Sequence, residues 1–192
     1  MKASINELIL IARQSDDASE RREALIELGY RTDEAIYPVL VKALSDPVKS
    51  VRHAAVISLG RYGDAEAIEE LIKPKIFQSP DVNIRWAAVS ALTKLGDYHV
   101  IDHLLKAVED SEWIVHNQAV TGLKEKIREI LEKKDPRFAR YLIRMMALKD
   151  EEIVGMVSEG FIELGTRSVP LLLDALLSPS EAIRKNAAAA LG

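Results

Sequence analysis

One ten-residue pattern recurs along this chain, and it limits the fold more than any other feature. It reads Asp46-Pro47-Val48-Lys49-Ser50-Val51-Arg52-His53-Ala54-Ala55 and closes at Leu59-Gly60. It returns as Ser79-Pro80-Asp81-Val82-Asn83-Ile84-Arg85-Trp86-Ala87-Ala88, closing at Leu92. A third copy, Ser178-Pro179-Ser180-Glu181-Ala182-Ile183-Arg184-Lys185-Asn186-Ala187, closes at Leu191-Gly192. Three weaker copies stand in phase. Stretch 15–29 keeps Arg21, Ala24 and Leu28; stretch 110–123 keeps Ala119, with His116 at the arginine position; stretch 150–165 keeps the Asp and the closing Leu164-Gly165. A chain with such a period stacks copies of one supersecondary unit.

The chemistry of the pattern is helical. Asp or Ser followed by Pro predicts an N-cap and a first-turn proline. Apolar positions then recur at helical spacing, as in Val51, Ala55 and Leu59 or Ile84, Ala88 and Leu92. The alanines admit a close neighbour. The closing glycines Gly29, Gly60 and Gly165 predict left-handed C′ positions. An amphipathic segment precedes each of these helices, at 5–12, 36–44, 68–77, 100–108, 138–148 and 169–177. Ser4 with Glu7 predicts a capping box, Asp135-Pro136 repeats the cap-plus-proline device, and Pro74 predicts a break in its helix. No stretch alternates with period two for long enough to be a strand. A hairpin of about 30 residues cannot bury both faces alone, so the copies must stack. The expected fold is an all-α solenoid of about six helix hairpins. A single array fills 1–192, with repeats near 1–31, 32–63, 64–96, 97–134, 135–165 and 166–192.

Composition narrows the function classes. A net charge of −4 gives no electrostatic reason to expect nucleic acid or an anionic membrane as the main partner. The absence of cysteine excludes a disulfide framework, a thiolate metal site and a cysteine nucleophile. The apolar run Leu8-Ile9-Leu10-Ile11 is bracketed by Glu7 and Arg13, which reads as an amphipathic helix and not a signal peptide. Nothing approaches the roughly 20 apolar residues of a membrane span. A cytoplasmic protein is expected.

The run Asp-Pro-x-x-x-Val-Arg-x-Ala-Ala-x-x-x-Leu-Gly, at 46–60, resembles the second helix of HEAT repeats. It is most similar to the short HEAT-like repeats of phycobilin lyases and of prokaryotic scaffold proteins. The resemblance covers nearly the whole chain, although 124–149 matches poorly. It implies a right-handed α-α superhelix. It also implies a structural ladder, in which Arg21, Arg52, Arg85 and Arg184 bond across neighbouring repeats to Asp46, Asp110, or the following Asp64 and Asp97. Second helices of such repeats line a concave surface. The slot after the arginine holds Arg22, His53, Trp86, Asn117 and Lys185; one turn on stand Ser90 and Thr121, and one turn back Asn83. We therefore take His53, Trp86, Asn117, Asn83, Ser90 and Thr121 as the candidate partner-binding residues. Trp86 reads either as an exposed anchor or as a ring half-covered by its neighbours. Trp113 is expected to pack at its hairpin joint.

Departures from the pattern are the other places to look. Segment 124–134 lengthens the fourth repeat's second helix, and its Ile127, Ile130 and Leu131 form a stripe that either packs inward or meets a partner. No polar outer helix follows Leu191-Gly192, so either the array continues beyond this point or that end packs against something.

Chemistry is sparse. His99 and His103 stand four apart without the Glu of His-Glu-x-x-His, so no metal is expected. The His-Glu iron ligands of deoxyhypusine hydroxylases are missing, since Ala54, Val100, Leu104 and Asn117 follow the histidines. No glycine-rich phosphate loop or Gly-x-Ser-x-Gly is present. The expected function is a non-enzymatic scaffold for another protein, with no cofactor and no catalytic residue. Two other readings stay open. Resemblance alone implies a phycobilin-lyase-like or chaperone-like enzyme subunit. A nucleic-acid-binding solenoid is kept open by Arg22, His53, Arg85 and Lys185 near the inner surface.

Overall fold

Ser4 opens the first helix. In the computed structural model, which describes residues 3–63, 65–95, 98–133 and 136–192, the Glu7 N–H donates to Ser4 Oγ at 3.3 Å. The Ser4 N–H donates to the Glu7 carboxylate at 2.7 Å. Two orphan donors are thereby satisfied reciprocally. Helices α1 (Ile5–Gln14), α2 (Ala18–Leu28), α3 (Tyr37–Ala43) and α4 (Lys49–Tyr62) follow in order. Next come α5 (Ala65–Leu71), α6 (Pro74–Phe77), α7 (Val82–Leu95), α8 (Ile101–Ala107) and α9 (Trp113–Lys133). The series ends with α10 (Pro136–Met145), α11 (Glu151–Leu164), α12 (Val169–Ala175) and α13 (Glu181–Leu191). Short 3-10 turns, Tyr98–Val100 and Gly165–Arg167, lead into α8 and α12. No strand occurs among the described residues. Pro74 ends one helix and starts the next, at the first-turn position that tolerates its missing N–H. Asp64, Asp97 and Asp135 lie outside the described residues.

The chain divides into two compact units, Met1–Asp97 with Asp110–Gln118, and Tyr98–Glu109 with Ala119–Gly192. In the first unit α1 packs on α2 and α3 on α4, and the second helices α2, α4 and α7 pack in succession. Leu25, Leu28, Val51, Ala55, Leu59, Ile84, Ala88 and Leu92 are buried between them.

The closing glycines serve this packing more than they serve turns. Gly29 has φ −62°, and Gly60 lies inside α4, so neither is left-handed. A Cβ on Gly29 would fall 2.9 Å from Ser58, and one on Gly60 would fall 2.5 Å from the Ala91 Cβ. Each glycine lets one second helix approach the next, and Ser58 Oγ donates to the Leu25 carbonyl across the first contact at 2.8 Å. The left-handed cap of α4 is Gly63, φ 85°, three residues past the expected position because the helix runs on to Tyr62. Of the three glycines expected to be left-handed, Gly165 alone has a positive φ, 60°.

The Asp-Pro and Ser-Pro pairs also sit differently from expectation. Asp46 Oδ1 accepts from the Val48 N–H at 2.8 Å, before α4 begins. Ser79 and Ser178 accept from Asp81 and Ser180 in the same way, two residues on. These are Asx- and Ser-type turns in the hairpin joint, so the proline lies in the joint and the helix starts after it. Ser180 is the true cap of α13, accepting from the Ile183 N–H.

In the second unit, the lengthened α9 buries its stripe. Ile127 and Ile130 are fully enclosed, and Leu131 lies over Gly160 of α11, where an added Cβ would come within 2.8 Å of its Cδ2. Lys124 pairs with Glu152 of α11 at 2.6 Å, and the buried Lys126 pairs with Glu129 at 3.0 Å. Trp113, expected at the hairpin joint, is instead 74% exposed. It is the first residue of α9, and a helical side chain covers the turn N-terminal to its own Cα, where no helix exists at that position. His99 sits in the 3-10 turn and His103 on α8, so the two do not share one α-helix.

Candidate partner-binding site

The arginines of the pattern fix the joints that aim the second helices. Arg21 Nε and Nη2 donate to Asp46 at 2.9 and 3.0 Å, and Nη1 donates to the Ser15 carbonyl at 2.9 Å. Arg85 does the same, with bonds of 2.7 and 2.9 Å to Asp110 and one of 2.7 Å to the Ser79 carbonyl. Each guanidinium thus clasps the joint of its own hairpin and reaches the loop of the next, in the planar fork geometry that favours arginine. Arg52 and Arg184 keep only the first half. Arg52 donates to the Asp46 and Pro47 carbonyls, and Arg184 to those of Ser178 and Pro179. The loop that follows Arg52 carries Ser79 where Asp46 and Asp110 stand in the others, so no carboxylate is presented there.

The hydrogen bond from Arg85 holds Asp110 below the usual carboxylate range, against a smaller opposing effect of burial. Burial pushes Asp46 upward, but the hydrogen bonds from Arg21 and the Val48 N–H outweigh it and leave its carboxyl lowered. Both arginines are raised, chiefly by these same hydrogen bonds.

Between the joints, α4 and α7 present a continuous face. His53 and Trp86, each half-buried, meet across it with ring centroids 6.4 Å apart and planes inclined by 32°. His53 Nε2 is enclosed and has no hydrogen-bond partner among the described residues. Burial lowers the imidazole's affinity for a proton; Asp81 works against this and Arg22 with it. The ring is therefore neutral at pH 7 and able to accept or donate one hydrogen bond.

A depression lies on either side of this pair. The first, about 610 Å³, is lined by Lys49, Ser50, His53, Asp81 and Asn83. The second, about 150 Å³, is lined by Ile57, Arg61, Trp86, Ser90, Ala91 and Lys94. Four of the six candidates, His53, Asn83, Trp86 and Ser90, therefore come together on this face. Asn117 and Thr121 stand on α9 and line neither depression, and Thr121 belongs to the second unit. Sequence reasoning did not single out Arg61 and Lys94. Their signal was available, since Lys94 stands one helical turn beyond Ser90 and Arg61 about two turns beyond His53. Among the described residues, no group of three or more His, Asp or Glu is placed to hold a metal ion. No helix among them is long and apolar enough to cross a membrane.

A model of HEAT repeats matches residues 5–74, and a model of the PBS lyase HEAT-like repeat matches residues 84–110. The chain is a HEAT-repeat protein. Solved structures agree on the fold. An engineered protein is 19% identical over 99% of this HEAT-repeat chain and 96% of its own, with a TM-score of 0.53. A designed armadillo repeat protein is 21% identical over 98% of both chains, with a TM-score of 0.52. Another, in complex with the peptide (KR)4, is 19% identical over 98% of both, with a TM-score of 0.50. These likenesses show an armadillo-like all-α solenoid fold. No curated protein matches the sequence.

Proposed function

We propose that this HEAT-repeat chain is a non-catalytic scaffold, working in the cytoplasm without a cofactor, that holds another protein on the face formed by α4 and α7. His53 and Trp86 are its anchors, with Asn83 and Ser90 beside them and Asn117, of the same unit, as a further contact on α9. The Arg21, Arg52, Arg85 and Arg184 bonds to the joints and to Asp46 and Asp110 are structural, keeping the second helices in register.

The half-buried His53–Trp86 pair carries this reading. A tryptophan fixed on one side and open on the other gives a partner a large contact area at little entropic cost. Depressions on both sides of the pair leave room for a bound chain. A designed armadillo repeat protein of similar fold is in complex with the peptide (KR)4, which supports a protein or peptide as the partner class.

The test is affinity capture from a lysate of the source organism. Wild type is compared with His53→Ala/Trp86→Ala, and bound proteins are identified by mass spectrometry. A protein retained by wild type and lost by the variant is the expected result. Equal recovery by both, with the variant's helix content unchanged, would remove the site from this face.

A further inference from the structure

Among the described residues, the depression beside Trp86 is charged in one sense only. Arg61 and Lys94 line it, from the last turns of α4 and α7, and no described Asp or Glu does. Both side chains are exposed, and neither takes part in an ion pair among the described residues. Arg61 lies 4.4 Å over the ring of Tyr30, a cation–π contact that uses none of its N–H groups as a hydrogen bond to an oxygen. This bare pair of cations is unusual in a chain that carries 30 acidic against 26 basic residues. Placement near helix C-termini makes each cation comfortable, but it uses few of their donors and does not explain the apolar wall. That wall is Trp86 and Ile57, with Ala91 close to Gly60 at the floor.

We propose that this depression receives an acidic segment of the partner protein, its carboxylates on Arg61 and Lys94 and an adjoining apolar side chain against Trp86 and Ile57. The inference rests on the reading that a protein binds the α4–α7 face, and it adds the chemistry of what binds. The volume, about 150 Å³, suits the apolar side chain alone, and the carboxylates meet the exposed Arg61 and Lys94. Two cations suit a pair of carboxylates. A nucleic acid would need a longer track of cations to offset its phosphates, and the neighbouring depression sets Asp81 beside Lys49.

The experiment selects a displayed library of random octapeptides on the full chain, in parallel on wild type, Arg61→Gln/Lys94→Gln and Trp86→Ala. Circular dichroism and urea unfolding verify that the variants fold. Wild type is expected to enrich peptides that carry two or more acidic residues next to an apolar one. Those peptides should bind the double-glutamine variant about three- to tenfold more weakly, as two exposed ion pairs allow, and bind wild type more weakly as salt rises. Enrichment of neutral or basic peptides that Trp86→Ala abolishes would overturn the acidic inference and leave the binding face intact. Acidic peptides indifferent to all three substitutions would overturn the site itself. Failure to enrich any peptide would overturn the inference, and affinity capture that also failed would take the scaffold reading with it. Displacement of the selected peptides by duplex DNA at lower concentration than by free peptide would assign the cations to phosphate and overturn the peptide reading.

Discussion

At the scale of single residues, the guanidinium fork explains why arginine recurs where it does. Its place in the pattern can be read in the sequence, because it always falls six residues after the Asp or Ser that opens the joint. Its double use cannot be read there, because the groups it clasps include backbone carbonyls that no residue type announces. Arg85 and Asp110 are only 15% and 14% exposed, so their paired hydrogen bonds are shielded from competing water. Arg85→Ala should destabilise the chain by about 2 kcal/mol in urea unfolding, the range for hydrogen bonds to charged groups. Arg184→Ala, which removes bonds to exposed carbonyls alone, should cost clearly less. Acid provides an independent check. Asp110 is lowered in the folded state, so the unfolded chain takes up its proton first as pH falls. Its contribution is complete above the ordinary carboxylate value and disappears as pH drops through the folded value. The stability gap between wild type and Asp110→Asn should therefore be widest near pH 7 and narrow below about pH 4. A gap that stayed constant with pH would contradict the charge-assisted bond.

At the scale of elements, helix periodicity and capping chemistry located most boundaries, while joints and close approaches had to be seen. The box at Ser4 and Glu7 and the break at Pro74 are local, and local chemistry is what a sequence displays. Gly60 is different. It closes the repeat like a turn glycine, but what it satisfies is a neighbour 31 positions away, Ala91. Trp113 was misjudged for a related reason: its position within the helix, and not its hydrophobicity, decides what it can cover. Gly60→Ala should force α4 from α7 and destabilise by about 1–3 kcal/mol, as overpacking does. Gly155, in the middle of α11, would meet nothing within 4 Å on gaining a Cβ. Gly155→Ala should instead stabilise by roughly 0.5–1 kcal/mol through helix propensity. Thermal unfolding of the two single variants separates the explanations, since a pure propensity effect would give both the same sign.

At the scale of the whole molecule, repetition decides the architecture and says little about where function resides. Six copies of one pattern made the all-α solenoid class legible before any coordinates. The two compact units meet within the fourth repeat, the weak copy in which His116 replaces the arginine and 124–134 lengthens the second helix. Four of the six candidate residues converge because they share one slot, and its adjoining turns, on adjacent second helices. Arg61 and Lys94 were passed over because a charge on a helix reads as solvated until its surroundings are known. The central claim is that a partner protein covers the α4–α7 face. Its most direct test is hydrogen exchange, read by mass spectrometry on the chain alone and on the chain bound to its captured partner. Slower exchange in peptides from 49–62 and 82–95 is the expected result. Protection that fell instead on 169–177, where Val169, Leu173 and Leu177 are exposed, with 49–62 and 82–95 unchanged, would contradict it.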